Sequence, residues 1–265
     1  MAFRAETSPR FRPLTRAGLL LGFALGGFFD GILLHQILQW HHLLSGVQSG
    51  RLADWTMQVM ADGLFHLLMY VLAALGLWGL WRARGLTSEP RSGRLLIGAL
   101  LLGFAAWHGV DALVSHALLG LHHIRMDVPE PWRWDLGWLL VFGGVPAAAG
   151  WWLRVRSQRG GPPGALLSVA LAATTVVAAA ASTRPLVAGP ETVAVVLRPG
   201  VTASPLLQAL GGSDWRLLGS DPAGRVWLLA GGSLPDRWAL YRHGAVLVSG
   251  TWAPGGCAAW VQAGR

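Results

Sequence analysis

Five apolar runs, at about 17–39, 57–81, 95–119, 134–153 and 164–188, limit what this 265-residue chain can fold into. Each is close to the roughly 20 residues an α-helix needs to cross about 30 Å of hydrocarbon. In lipid a backbone has to satisfy its own hydrogen bonds, so such runs are expected to be helical. Charged residues make up 13% of the chain and the mean hydropathy is +0.45, whereas a soluble domain carries about 25% charged residues. The fourth run is interrupted by "GGVPAAAG", which membrane helices tolerate. The first is too long for a signal-peptide core and no A-x-A-like site follows it, so it is expected to remain as a helix.

All 21 basic residues are arginine, and the net charge is +8. Their placement argues against a nucleic-acid surface, because they cluster beside apolar runs rather than along one stripe. Arg4, Arg10, Arg12 and Arg16 precede the first run; Arg82, Arg84, Arg91 and Arg94 separate the second from the third; Arg154, Arg156 and Arg159 follow the fourth. The intervening loops hold only Arg51 in one case, and Arg125 and Arg133 in the other. The positive-inside rule then puts the N-terminus in the cytoplasm and everything after the fifth run on the exoplasmic side. Trp40, Trp55, Trp132 and Trp134 bracket the two outer loops as an aromatic belt would. Cys257 is the only cysteine, which excludes an intrachain disulfide and a cysteine-based zinc or iron–sulfur site.

The expected organisation is a basic cytoplasmic segment at 1–16, a four-helix membrane domain at 17–156, a fifth transmembrane helix at 164–188 and a small exoplasmic domain at 190–265. In the last, "ETVAVVLRPG" reads as a strand and "ASPLLQAL" as a helix. "WRLLGSDPAGRVWLLAG" reads as a hairpin turning at Asp221–Gly224, "PDRWALYRHG" as a second helix and "AVLVSG" as a final strand. That β-α-β-β-α-β order predicts a ferredoxin-like sandwich. His243 and Cys257 are isolated there, and no catalytic motif stands out.

The membrane region contains an internal duplication. At an offset of 81, "GFALGGFFDGILLHQILQWHHLL" lies over "GFAAWHGVDALVSHALLGLHHIR" without a gap. Asp30, His35, His41 and His42 recur as Asp111, His116, His122 and His123, while the apolar positions drift. Asp54 falls on Asp135 and Gly63 on Gly144 at the same offset, but the second and fourth runs otherwise align poorly. The chain is therefore read as an all-α polytopic membrane protein: two duplicated helical hairpins forming a four-helix bundle, related by an axis along the membrane normal, plus a fifth helix and the small α+β domain. With a rise of about 1.5 Å per residue, the two Asp residues come near mid-membrane and the His pairs reach the outer interface. His35 and His42, seven apart, would share one helical face with Gln39 between them, as would His116 and His123. Asp62 and His66 sit at i, i+4 and His108 and Asp111 at i, i+3.

A carboxylate at the membrane centre costs roughly 2.5–3.5 kcal/mol unless paired or protonated, so these groups should face the bundle interior. Imidazole with carboxylate and no thiolate suits a borderline ion such as zinc, copper(II) or iron. The candidate ligands are His35, His41, His42, His116, His122, His123, Asp30, Asp111, His66, Asp62 and His108. Imidazoles at matching heights on the two related helices are expected to meet at one ion, with Asp30 and Asp111 as ligands or as groups fixing their tautomers. Haem between two axial His residues and a proton or quinone relay are the redox alternatives. A scaffold in which His and Asp only join helices is the third. Met57, Met60, Met69 and Met126 lie in the same half and are best read as packing, with copper(I) ligation as the alternative.

"GFFDGILLHQILQWHHLL" and "DALVSHALLGLHHIR" resemble a bacterial family of predicted membrane proteins catalogued as a domain of unknown function, over about 15–155. The family's second motif usually has an acidic residue before the His and then "GLHH"; here Ser115 replaces the Asp before His116, and Asp111 stands where an acidic group is expected. Family members are often encoded beside copper-chaperone-like assembly proteins of haem-copper oxidases. The resemblance thus implies a protein of a bacterial inner membrane linked to respiratory metal handling, with an oxidase or its assembly factors as partners. The duplicated Asp/His set itself leads to the expectation of a membrane protein, rather than an enzyme, that binds a transition metal, with copper the favoured ion. The fifth run and the tail lie outside it.

Overall fold

A computed structural model of the protein describes residues 9–38, 40–53, 55–183, 192–211, 214–221, 223–231 and 234–248. Cys257 and Asp54 fall outside these residues. Helix α1 (Arg12–Asp30) continues as a π-helix over Gly31–Ile37, and α2 (Trp55–Arg82) returns. Helix α3 (Ser92–Val110) likewise runs into a π-helix, Asp111–Leu118. The next span is α4 (Pro131–Trp138), a third π segment (Leu139–Gly144) and α5 (Val145–Ser157), followed by α6 (Ala165–Ser182). These make five helices long and apolar enough to cross a membrane, as the hydropathy pattern requires. The chain clusters into two compact units, Met1–Asp30 with Leu67–Ala179, and Gly31–His66 with Ala180–Arg265.

The first unit is organised by the parallel packing of α1 on α3. A Cβ at Gly22 would overlap the Leu100 carbonyl and the Phe104 nitrogen, and one at Gly103 would overlap the Leu19 carbonyl and the Phe23 nitrogen. Every atom in the first set maps onto one in the second at the offset of 81, so the two repeats meet as a pseudo-twofold pair. Small residues extend the contact: a Cβ at Gly18 would lie 2.9 Å from that of Ala99, and one at Gly26 2.8 Å from the Trp107 Cβ. Without a hydrophobic drive in lipid, helices associate by this close backbone packing. The return helices pack antiparallel: Gly76 and Gly79 of α2 face Leu21 and Ala17, while Gly150 of α5 faces Gly98 and Leu102. Phe11, Leu14, Leu21, Leu80, Leu96 and Leu171 form a buried cluster that ties in α6. Exposed Leu75, Trp78, Val141, Trp151, Leu166 and Val169 present an apolar surface suited to lipid.

The return helices share one feature near their ends, though not at an offset of 81. Arg82 stacks over Trp78 at 5.0 Å, and Arg156 over Trp152 at 4.1 Å, a match at an offset of 74. The Gly63–Gly144 pairing has no structural counterpart: Gly63 faces the Leu247 side chain, and Gly144 ends the third π segment.

In the second unit, strands β1 (Thr192–Leu197), β2 (Arg216–Ser220), β3 (Val226–Ala230) and β4 (Ala245–Val248) form one antiparallel sheet in the order β2-β3-β1-β4. Helix α7 (Ser204–Leu210) follows β1 and α8 (Leu234–Ala239) follows β3, giving the β-α-β-β-α-β order read from the sequence. Val193, Val195, Leu197, Leu229 and Val248 pack with Leu206 and Leu240 on the helical side. The opposite face is buried too, through Ala194, Val196, Val226, Leu228 and Leu247. The β2–β3 turn is held by Asp221, whose Oδ1 accepts the backbone N–H of Arg225 (2.6 Å) and Val226 (2.8 Å).

Two outcomes follow from this packing. Gly22→Leu or Gly103→Leu should cost about 1–3 kcal/mol or more of stability, because the obstacle is backbone, whereas Gly109→Leu, with nothing within 4 Å, should unfold like the parent in detergent. Asp221→Ala should strip two N–H groups, the Val226 one buried, of their acceptor and destabilise the small domain by about 1–3 kcal/mol, read as lowered hydrogen-exchange protection in β2 and β3.

Candidate metal centres

Each repeat ends its outgoing helix in the same way. After Asp30 and Asp111 the winding loosens from α to π, in which the backbone bonds run i→i+5. Residues five apart, far round the axis in an α-helix, are thereby brought towards one face, and His116 Nε2 lies 3.1 Å from Asp111 Oδ2. Leu38 N–H donates to the Leu33 carbonyl and Trp40 N–H to that of Leu34; Leu119 and Leu121 repeat both bonds to Val114 and Ser115 at 2.9 and 2.8 Å. At Gly120 the chain takes a left-handed turn, φ +59, which a residue without Cβ adopts freely. The His pairs therefore stand on non-helical chain, not on the helix. The shared helical face expected for His35 and His42, and for His116 and His123, is not how they meet: the chain turns back and brings each pair beside its own earlier histidine.

The first centre gathers His35, His41, His42 and Asp62, all buried. The ring centroids of His41 and His42 lie 4.8 and 5.5 Å from that of His35. Asp62 Oδ2 is 2.6 Å from His42 Nδ1, Oδ1 accepts the Leu43 N–H at 2.9 Å, and the same oxygen is 3.7 Å from His35 Nδ1. The second centre repeats the scheme with Asp135. Its Oδ2 is 2.6 Å from His123 Nδ1 and its Oδ1 accepts the Ile124 N–H at 2.8 Å. The turn after each His pair is also closed alike, His42 N–H donating to Ser45 Oγ and His123 N–H to Met126 Sδ. The structural counterpart of Asp135 is thus Asp62, at an offset of 73; Asp54, its match in the sequence, lies outside the described residues. Asp135, noticed only as a repeated acid, belongs to the site.

In the second centre His116 is held on both sides. Its Nε2 faces Asp111 and its Nδ1 lies 3.0 Å from Asp135 Oδ1. His122 Nε2 is 3.5 Å from Asp111 Oδ1, and the His116 and His122 ring centroids are 4.7 Å apart. Asp111, His116 and His122 are all buried and each offers one ligand atom within 4.8 Å of the others. The groups His35, His42, Asp62 and His116, His123, Asp135 meet the same test. These spacings fit one ion. Bonds of about 2.0–2.1 Å to tetrahedral ligands put donor atoms about 3.3 Å apart and imidazole centroids about 5 Å apart. In both centres an imidazole is oriented by a carboxylate at its other nitrogen, the arrangement that fixes the tautomer of metal-binding histidines. Each of these groups draws on a single hairpin among the described residues, so the expected ion shared between hairpins is replaced by one centre per hairpin.

His66 and His108 stand outside these groups. His66 Nδ1 donates to the Asp62 carbonyl at 2.9 Å, leaving Nε2 with its lone pair, buried against Gly31. His108 accepts the Trp138 indole N–H at Nδ1, 3.2 Å, inside a cage of Phe29, Phe104 and Phe142. The two positions are not exchanged by the repeat. Asp30 is buried and accepts the Trp107 indole N–H at 3.3 Å. Met69 is core, as expected of it. The exposed Arg125–Asp127 pair (2.7 Å) staples the loop beyond the second centre, and that guanidinium holds the Asp127 carboxyl below its ordinary range.

Curated proteins and solved structures provide no match to this chain. Residues 17–157, which carry both hairpins and both centres, match the family described as "Predicted membrane protein (DUF2243)", and the chain belongs to that family.

Proposed function

We propose that this membrane protein binds a transition-metal ion at its duplicated His/Asp centres and acts as a metal carrier rather than an enzyme. The observation that carries the reading is the buried set Asp111, His116 and His122, whose donor atoms converge within 4.8 Å. Two imidazoles and one carboxylate suit copper(II), zinc or iron(II); copper(II) is favoured because it heads the affinity order for such donors. The Arg-rich turns lie at the ends of the spans opposite the His pairs, so the positive-inside rule puts the centres towards the exoplasmic face. Delivery to a respiratory oxidase, which the family resemblance implies, is the role we attach to this carrier. Impaired oxidase metallation in a strain lacking the protein tests that step.

A second reading is favoured by one detail. Carboxylates at both nitrogens of His116, 3.1 and 3.0 Å away, are also what a protonated imidazole would gather as a purely structural clamp. Metal analysis of detergent-purified protein separates the two. The carrier reading expects bound copper or zinc that falls in Asp111→Asn and His122→Ala, and a wild type that stays metal-free on exposure to either ion while folded overturns it. Excess ion should raise the wild-type unfolding midpoint, since a ligand at 100 times its Kd adds about 2.7 kcal/mol, and should leave the His116→Ala/His122→Ala variant less affected. Asp135→Asn should weaken ion binding at the second centre by about 10–100-fold through the loss of an orienting carboxylate, while Asp62→Asn should do the same at the first.

A further inference from the structure

His116 belongs to two ligand groups at once. On its Nε2 side are Asp111 and His122; on its Nδ1 side are Asp135 and His123. The sides differ in access. The Asp111 and His122 side chains are 4% and 1% exposed, whereas those of Asp135 and His123 are 16% and 37% exposed. A single imidazole therefore separates an enclosed set of donors from one open to solvent.

We propose that the second centre holds two transition-metal ions bridged by the His116 ring, an inner ion at Asp111, His116 Nε2 and His122, and an outer ion at His116 Nδ1, Asp135 and His123. The inference rests on the metal-carrier reading above and adds a second binding position to it. Both ring nitrogens of His116 then act as donors, and its ring protons, with the one His123 shares with Asp135, pass to water as the ions bind. The His123–Asp135 separation of 2.6 Å is that of a hydrogen bond, so the outer ion takes its place by opening these two partly exposed side chains. The inner set needs no such opening. The outer position is accordingly the weaker and the faster to exchange, and it stands between solvent and the inner ion.

The first centre groups the corresponding donors but encloses them. Its corresponding side chains, His42 and Asp62, are 3% and 2% exposed, and His35 Nδ1 stands off Asp62 at 3.7 Å rather than 3.0 Å. The second repeat alone has the open outer side.

The test uses the full chain in detergent, with His35→Ala/His41→Ala/His42→Ala removing the imidazoles of the first centre. After saturation with copper(II) and removal of free ion, two coppers per chain are expected, falling to one when His123→Ala or Asp135→Asn is added. Two ions across an imidazolate couple magnetically, so the integrated paramagnetic resonance signal should fall below the bound copper and return to parity in His123→Ala. The same signal deficit is expected in the unmodified chain, which keeps the test independent of whether the triple variant folds. One copper per chain with full signal intensity would overturn the bridged pair and leave the carrier reading standing. No copper in folded wild-type protein would overturn both.

Discussion

The close approach of α1 and α3 at Gly22 and Gly103 governs what the membrane region can do. The two outgoing helices touch backbone to backbone there, their side chains meet beyond it through Asp30 and Trp107, and each also packs on its own return helix. Gly76 and Gly79 accept Leu21 and Ala17 in one hairpin; Gly98 and Gly150 accept one another in the second. The ligand groups of each centre come from one hairpin.

Within a centre the decisive element is the carboxylate at the return helix. Asp62 and Asp135 each bind a His ring N–H and the next residue's backbone N–H, so a loop that has left its helix is fastened by two bonds to one side chain. A carboxylate this well hydrogen-bonded, buried at Asp62 and half-buried at Asp135, is a tolerable anion in a low-dielectric setting, and it hands its orientation to the imidazole. The divergence of the two repeats lies around this constant part. His66 faces Gly31 in the first, and His108 occupies an aromatic cage in the second.

The spans were legible because hydrocarbon demands length and apolarity and nothing subtler. The ligands were legible because they are the polar positions that a drifting repeat retained. Asp62 could not be paired with Asp135 by sliding the sequence, since 19 residues separate His42 from Asp62 and only 11 separate His123 from Asp135; a single offset cannot cross that loop. The equivalence appears only when hydrogen bonds are compared. The placement of the His pairs was misjudged for a related reason. Their spacing fits an α-helical face, but the helices end at Ile37 and Leu118, where π winding has already shifted the register. The tail's element order could be read from alternation and turn residues, whereas the burial of the second sheet face left no periodic mark.

A π-helix holds more residues in a turn than the α-helix it interrupts. Asp111 meets His116 because four residues lie between them in that winding, and the same number separates Asp30 from His35. The intervening letters are "GILL" in one copy and "ALVS" in the other, with no identity at any position. Loss of any one of them would return the segment towards α winding and carry the histidine about 100° round the axis, whatever side chain was removed. What has been inherited in this interval is a count, and insertion or deletion is the change it cannot absorb.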